Sequence, residues 1–467
     1  MKRYILSAAA LLGALIIALP VSGQMRASYF MTGSTQRYDM NPALSPQRGY
    51  IAIPVVGSLY TNVETNFLSA DNFFYPNGQG NGVVTYMHKS VSAEEFLAKL
   101  PDHNAIEFGL NDQILGIGNY FKGGFWSLSL RLRSETNVDI PKDFFALTKT
   151  LSQGSYDISG MGVESNNFVE ASLGYTFPVQ DVFTIGFRAK ALVGLAHLSA
   201  RLDRADISIG TDQYTADLAG SICTHVAGYD FEGLTGEVTF DEFIGHATDF
   251  SNFSPNNISS IGFALDAGLE WTFHDEDIRI SAAVTDLGFT AWGAQNAYCG
   301  EIQNVGFAFK GFDLATNEIV FSTPDKITMQ TVVPEEGEGA QIKQQLHTNY
   351  VAGIEYNILN DAIGLGAVWY GKQYAEELVS EIVVAATLRP TPWLSATISE
   401  GYYPGSNIGV LGASLNLHTS LINLFVGIDH IGNKFGTAMG GKIPVPINQK
   451  SMNLTFGLSL PLGARMF

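Results

Sequence analysis

Residues 263–273 read Phe-Ala-Leu-Asp-Ala-Gly-Leu-Glu-Trp-Thr-Phe, apolar at every odd position and small or polar at every even one. Successive side chains of a strand point to opposite faces, so this stretch has one greasy face and one wet face. His274-Asp275-Glu276-Asp277 then supplies a turn, and the alternation restarts at Ile278-Arg-Ile-Ser-Ala282. The unit is a hairpin whose wet row carries Asp266, Glu270 and Arg279.

The template recurs along the chain. In 126–133, Trp126, Leu128, Leu130 and Leu132 form one row, while Ser127, Ser129, Arg131 and Arg133 form the other. The odd residues of 169–177 and of 183–195 are apolar, and in the second stretch they oppose Thr184, Gly186, Arg188 and Lys190. Further strands read at 48–61, 104–117, 347–357, 362–371, 380–389, 393–401, 407–417, 421–430 and 451–462, with Asp429 on the inward row.

The connections sort into two kinds. Pro178–Asp181, His274–Asp277, Ile358–Asp361, Pro390–Pro392 and His418–Ser420 are short, while 63–103, 137–165, 203–257 and 293–346 are long. Taking the strands in order puts every short turn on one side and every long loop on the other, which yields about 14 antiparallel strands. That is the sequence pattern of an all-β transmembrane β-barrel with periplasmic turns and long extracellular loops. An open sheet edge in hydrocarbon leaves amides without partners, so 451–462 is expected to pair with 48–61. A soluble sandwich or solenoid would need polar outer faces, whereas these carry Trp126, Phe187, Trp271 and Trp369.

The N-terminus predicts export. Lys2 and Arg3 precede an apolar run from Ile5 to Leu19, and Val21-Ser22-Gly23 forms a cleavage site before Gln24. No later window reads as a membrane helix, because Arg188 and Lys190, or Glu355, Asn360 and Asp361, interrupt each candidate. The expected organisation is a signal peptide at 1–23, a plug or leader segment at 24–47 and an outer-membrane barrel at 48–467. Phe467 at the terminus fits recognition by the barrel-assembly machinery. The chain is 46% hydrophobic and only 15% charged, with 49 glycines, and the apolarity is spread evenly along it. Its net charge of −19, or −21 without Lys2 and Arg3, excludes nucleic acid as a partner. Outer-membrane lipid is the expected surroundings.

Pro42 and Pro46 keep the segment before residue 48 out of any ladder. With Asn41, Pro42 and Ala43 at its centre, it either tucks into the lumen as a plug or trails as a periplasmic leader. Ser92-Ala-Glu-Glu95 is a capping box opening a short helix before Pro101, and a second helix starts at Pro141. Both fall in long loops and are expected to cap the barrel mouth. Cys223 and Cys299 lie in different loops, as a disulfide or as two thiols.

No nucleophile elbow, His-Glu-x-x-His, phosphate loop or Cys-x-x-Cys occurs, so no enzyme activity, metal or cofactor is expected. His274–Asp277 and Pro334-Glu335-Glu336-Gly-Glu338 read as solvated turns. The candidate functional row is the lumen-facing set Arg131, Arg133, Arg188, Lys190, Asp266, Glu270, Arg279 and Asp429. Such mixed charges form either a path for a permeant or an ion-paired filling.

Asn41-Pro42-Ala43, Tyr50-Ile-Ala-Ile-Pro54-Val-Val-Gly57, Lys122-Gly-Gly-Phe-Trp-Ser-Leu-Ser-Leu130 with Pro141-Lys-Asp-Phe144, Gly186-Phe-Arg-Ala-Lys190 and Thr285-Asp-Leu-Gly288 carry a family likeness. Together they resemble an uncharacterised family of Bacteroidota outer-membrane β-barrel proteins and, more distantly, FadL-like fatty-acid transporters and PorV-like barrels. The resemblance implies a 14-stranded barrel with an N-terminal plug. It implies no settled activity, and only the Asn-Pro-Ala turn carries over. Two functions are expected from it. One is a channel for a small hydrophobic or amphipathic substrate; the other is a non-conducting scaffold that partners a secretion or surface-attachment machine.

Overall fold

A computed structural model describes residues 26–463 apart from 77–81, 151–152, 181, 211–213, 230–235, 240–241, 244, 246–259, 274–276, 294–295, 314–317, 322–327, 333–341, 374–377, 404–408, 439–442 and 449. The expected cleavage site, most of the His274–Asp277 turn, the Pro334–Glu338 loop tip and Phe467 lie outside the described residues.

Fourteen antiparallel strands close into a barrel. They are β1 (Gly49–Ala52 and Leu59–Thr65), β2 (His103–Phe121), β3 (Gly124–Pro141), β4 (Gly162–Pro178), β5 (Phe183–Ile209), β6 (Ile261–Phe273) and β7 (Ile278–Trp292). The ring continues through β8 (Asn349–Ile358), β9 (Ile363–Gln373), β10 (Leu378–Thr391), β11 (Leu394–Tyr402), β12 (Gly409–His418), β13 (Asn423–Gly432) and β14 (Met452–Leu462). Each pairs with the next, and β14 returns to β1 with Gly49 opposite Leu462 and Leu59 opposite Phe456. Closure leaves the ring without a free edge.

β1 is not the continuous strand expected at 48–61. Pro54 has no amide hydrogen to give the ladder, Val55 takes φ 69°, and the chain turns from Ile53 to Val56 before pairing resumes at Leu59.

Side-chain direction follows the alternation. On the outer face, Leu128, Leu173, Phe187 and Ile398 are 51%, 61%, 53% and 68% exposed, while Asp266, Thr387 and Asn416 on the inner face are 1% or less. A polar interior wrapped in an exposed apolar belt is the outer-membrane type of barrel, inverted relative to a water-soluble one. The short connections gather at one end. At the β2–β3 turn, Lys122 and Gly123 both take positive φ, 50° and 82°, as a two-residue hairpin of matching twist requires.

At the other end the long connections are partly sheet rather than loop. The 27 residues of β5 pair with β6 as far as Val193, then with Tyr214–Val226, which in turn pairs with Ala297–Asp313. Cys223 faces Cys299 across that second ladder, and the two are joined in a disulfide. The capping box forms, with the Glu95 amide donating to Ser92 Oγ at 3.0 Å ahead of the helix Ala93–Leu97. That helix and a second at Lys142–Thr150 bury Phe96 and Phe145 with Phe67, Tyr75, Val91 and Leu100 in a small core of their own.

Candidate functional site: the barrel lumen

Residues 26–47 lie inside the ring of strands. A 3-10 turn, Arg26–Phe30, is followed by a single helical turn, Gln36–Met40, which ends at Asn41 in extended conformation. Proline at 42 cannot continue the helix hydrogen bonding. Asn41 Oδ1 instead accepts from the Ala43 amide at 2.9 Å, closing a local turn. Its amide nitrogen donates to Tyr29 Oη, the Ala282 carbonyl and the Leu269 carbonyl at 3.2, 3.3 and 3.4 Å. Thr176 Oγ1 donates to the Pro42 carbonyl at 2.5 Å.

Inward-facing glycines make room for this segment. A Cβ on Gly186 would overlap the Pro42 carbonyl, one on Gly268 the Asn41 side chain, one on Gly353 the Tyr29 ring and one on Gly366 the Phe30 ring. In strands, glycine marks a close approach of other chain. Here the approaching chain is the segment itself.

Charges tie the segment to the wall. Arg131 Nη2 meets Asp39 at 2.5 Å and Arg188 Nη2 donates to the Tyr38 carbonyl at 2.6 Å. Arg37 pairs with Glu270 at 3.7 Å, Arg26 with Glu381 at 3.2 Å, and the Ala27 amide donates to Asp429 at 3.4 Å. Arg389 spans the Phe30 carbonyl at 2.8 Å and Glu355 at 2.5 Å. Arg279 sits on β7 opposite Glu355.

Toward the long-loop end, Asp286 is a hub. Its carboxylate accepts from Arg133 at 2.7 Å and 3.2 Å, from Lys190 at 2.6 Å and from Asn349 at 3.2 Å, while its own amide donates to Asp266 at 2.8 Å. Lys190 also reaches Asp266 at 2.8 Å, Arg188 reaches Asp266 at 3.0 Å, and Arg133 reaches Glu170 at 2.8 Å and Glu135 at 3.4 Å. Arg133, Lys190 and Arg188 thus face Asp286, Asp266, Glu170 and Glu135. Such buried charges persist only when mutually compensated.

All eight charged candidates lie in the barrel wall, seven of them in these two networks through the contacts above, with Arg279 opposite Glu355 on the neighbouring strand. Sequence reading missed Asp286, Asp39, Glu170, Glu381 and the arginines 26, 37 and 389. A signal for Asp286 existed: the apolar row of β7 runs on even numbers through Val284 and on odd numbers from Leu287. That switch is a β-bulge, seen as a register shift against β6, with Asp286 at φ 60°.

Two concavities adjoin the lumen. One, about 130 Å³, opens at the short-turn end between Thr35, Arg48, Trp393, His418 and Asn423. The other, about 380 Å³, is a groove on the outer face at the bulge, lined by Leu173, Tyr175, Phe187, Leu265 and Leu287, with Gly174, Arg188 and Asp266 behind them. Among the described residues no three His, Cys, Asp or Glu are grouped to hold a metal ion.

Comparison with solved structures finds distant similarities along most of the chain. The Ralstonia pickettii toluene transporter TbuX is 10% identical with a TM-score of 0.45, covering 94% of this chain and 99% of its own. The Pseudomonas putida toluene transporter TodX is 6% identical with a TM-score of 0.39, covering 96% of each chain. A Pseudomonas aeruginosa FadL homologue is 9% identical with a TM-score of 0.42, covering 94% of this chain and 98% of its own. No curated protein matches the sequence. A family model of unknown function, DUF5723, matches residues 42–429, from the Asn-Pro-Ala turn to the inward Asp429, and the chain belongs to that family.

Proposed function

We propose that this protein is an exported outer-membrane channel for small hydrophobic or amphipathic molecules, held closed at rest by residues 24–47 acting as a plug. The observation that carries the reading is the outer groove at the bulge. Its rim is the apolar, exposed face of β4 to β7, and its floor holds Arg188 and Asp266, which also contact the N-terminal segment or the Asp286 hub. A molecule dissolved among lipid acyl chains would meet, at that one place, both an apolar seat and the elements that close the lumen. The signal-like N-terminus, with its expected cleavage before Gln24, and the even number of strands support an outer-membrane location.

The test is uptake of a fluorescent fatty acid into proteoliposomes. Uptake above empty vesicles is expected, reduced by Ala267→Trp, which fills the groove, and raised by Asp39→Ala, which frees the segment from Arg131. No uptake by any of the three proteins would reject the channel.

A second reading, the non-conducting scaffold for a secretion or surface-attachment partner, is favoured by the ion-paired filling of the lumen. It requires that Asp39→Ala leave permeability unchanged and that an outer-membrane partner co-purify with the wild type in fixed stoichiometry.

A further inference from the structure

His197 on β5 and His225 on the adjoining strand Tyr214–Val226 stand directly opposite each other in the ladder. They are 4% and 1% exposed, and their ring centres are 5.4 Å apart with planes at 55°. Trp292, 1% exposed, stacks on His197 at 5.2 Å and lies 6.1 Å from His225. The polar atoms of this cluster are not all satisfied. His197 Nδ1 is 2.7 Å from Asn166 Oδ1, and the ring also meets the Ser165 backbone; in the tautomer in which Nδ1 donates to that oxygen, Nε2 keeps its lone pair. Neither ring nitrogen of His225 has a hydrogen-bond partner, nor does Trp292 Nε1. Buried groups in that state are costly, and each calls for an explanation.

We propose that His197 and His225 form a binding site for one late first-row divalent ion, Cu²⁺, Ni²⁺ or Zn²⁺, with the remaining coordination positions taken by water. Two imidazoles sharing a tetrahedral ion, with metal–nitrogen bonds of about 2.0–2.1 Å, place their ring centres about 5 Å apart, which matches the separation here. Imidazole suits these metals rather than magnesium or calcium. The carbonyl on His197 Nδ1 is the outer support that ligating histidines ordinarily have, fixing the tautomer and aiming the ring. Cys223, two residues before His225, is tied to Cys299, which holds the second ligand's strand in register. The site is independent of the channel reading, because none of these residues contacts the N-terminal segment or lines the outer groove.

The experiment titrates CuCl₂, and separately NiCl₂, into the detergent-solubilised full chain, followed by calorimetry and tryptophan fluorescence. Wild type, His197→Gln, His225→Gln and Trp292→Phe are compared, each checked for folding by heat-modifiable migration on gels. One equivalent is expected to bind the wild type with saturable quenching. Either histidine substitution should weaken binding at least about tenfold, as loss of one of two protein ligands requires. Trp292→Phe should bind as before but lose the saturable quench, because the indole beside the ion reports it. Equal affinity in wild type and both histidine variants, or no stoichiometric binding to wild type, overturns the proposal. Should a histidine variant fail to fold, the quench difference between wild type and Trp292→Phe decides. If that difference is zero, no ion sits beside Trp292.

Discussion

Gly268→Val is the sharpest perturbation of the lumen, because it changes the wall and the segment in opposite ways. Valine is a better strand residue than glycine, so β6 itself should gain. Its Cβ, however, would overlap Asn41 Oδ1 and come within 2.9 Å of Pro42 Cδ, so the Asn-Pro-Ala turn must leave its seat. Leaving breaks the bonds that tie the turn to the wall, those from the Asn41 amide group to the Leu269 and Ala282 carbonyls and the one from Thr176 Oγ1 to the Pro42 carbonyl. Two bonds from the Asn41 amide group and one from the Thr176 hydroxyl, at about 1 kcal/mol net each, come to about 3 kcal/mol. That shifts the docking equilibrium of the segment on the order of 100-fold toward the displaced form. The assay is limited proteolysis in detergent, with N-terminal sequencing of the product. Wild type should resist cleavage between residues 26 and 47, and Gly268→Val should be cut there while its barrel still migrates as folded on gels. Ala267→Val, one residue away on the outward face, is the control and should behave as wild type. Unchanged protection in Gly268→Val would refute the view that the inward glycines seat this segment.

Three further outcomes follow from the same geometry. Leu130→Arg places a charge on the apolar belt and should cost about 2–4 kcal/mol in urea unfolding from vesicles. Ser129→Arg, inward and bonded to Ser172 at 2.7 Å, should cost much less, and the reverse order would put the register off by one residue. In the hub, Lys190→Met leaves two cations facing four carboxylates and should destabilise by about 3–5 kcal/mol. Asp286→Asn brings three cations against three carboxylates, keeps a residue tolerant of positive φ, and should cost less than Lys190→Met by urea unfolding. Cys223→Ser opens a crosslink spanning 76 residues, so the difference between reduced and non-reduced gel mobility seen for wild type should vanish. On the chain-entropy account the long-loop ribbon should also lose about 4 kcal/mol of stability, read as faster proteolysis between residues 214 and 313.

The amino-acid sequence by itself determined the alternation, and from it the strand number, the outward rows and the closing partnership of 451–462 with the first strand. The reason is local: side-chain direction repeats every two residues, and an apolar belt with polar turns leaves the backbone no other way to satisfy its amides. Where locality failed, so did the reading. Pro54 interrupted a strand taken as continuous, and segments read as loops at 203–257 and 293–346 hold ladders whose partners are far apart in the chain. The lumen needed the tertiary structure altogether. Alternation says that Arg133 and Arg188 face inward, but not that Arg133 meets Asp286 from 153 residues away or that Arg188 donates to the Tyr38 carbonyl from 150 away. Those partners are chosen by the curvature and register of the closed ring. The course of residues 26–47 through it is set the same way, by a few glycines on different strands that only closure brings around one turn.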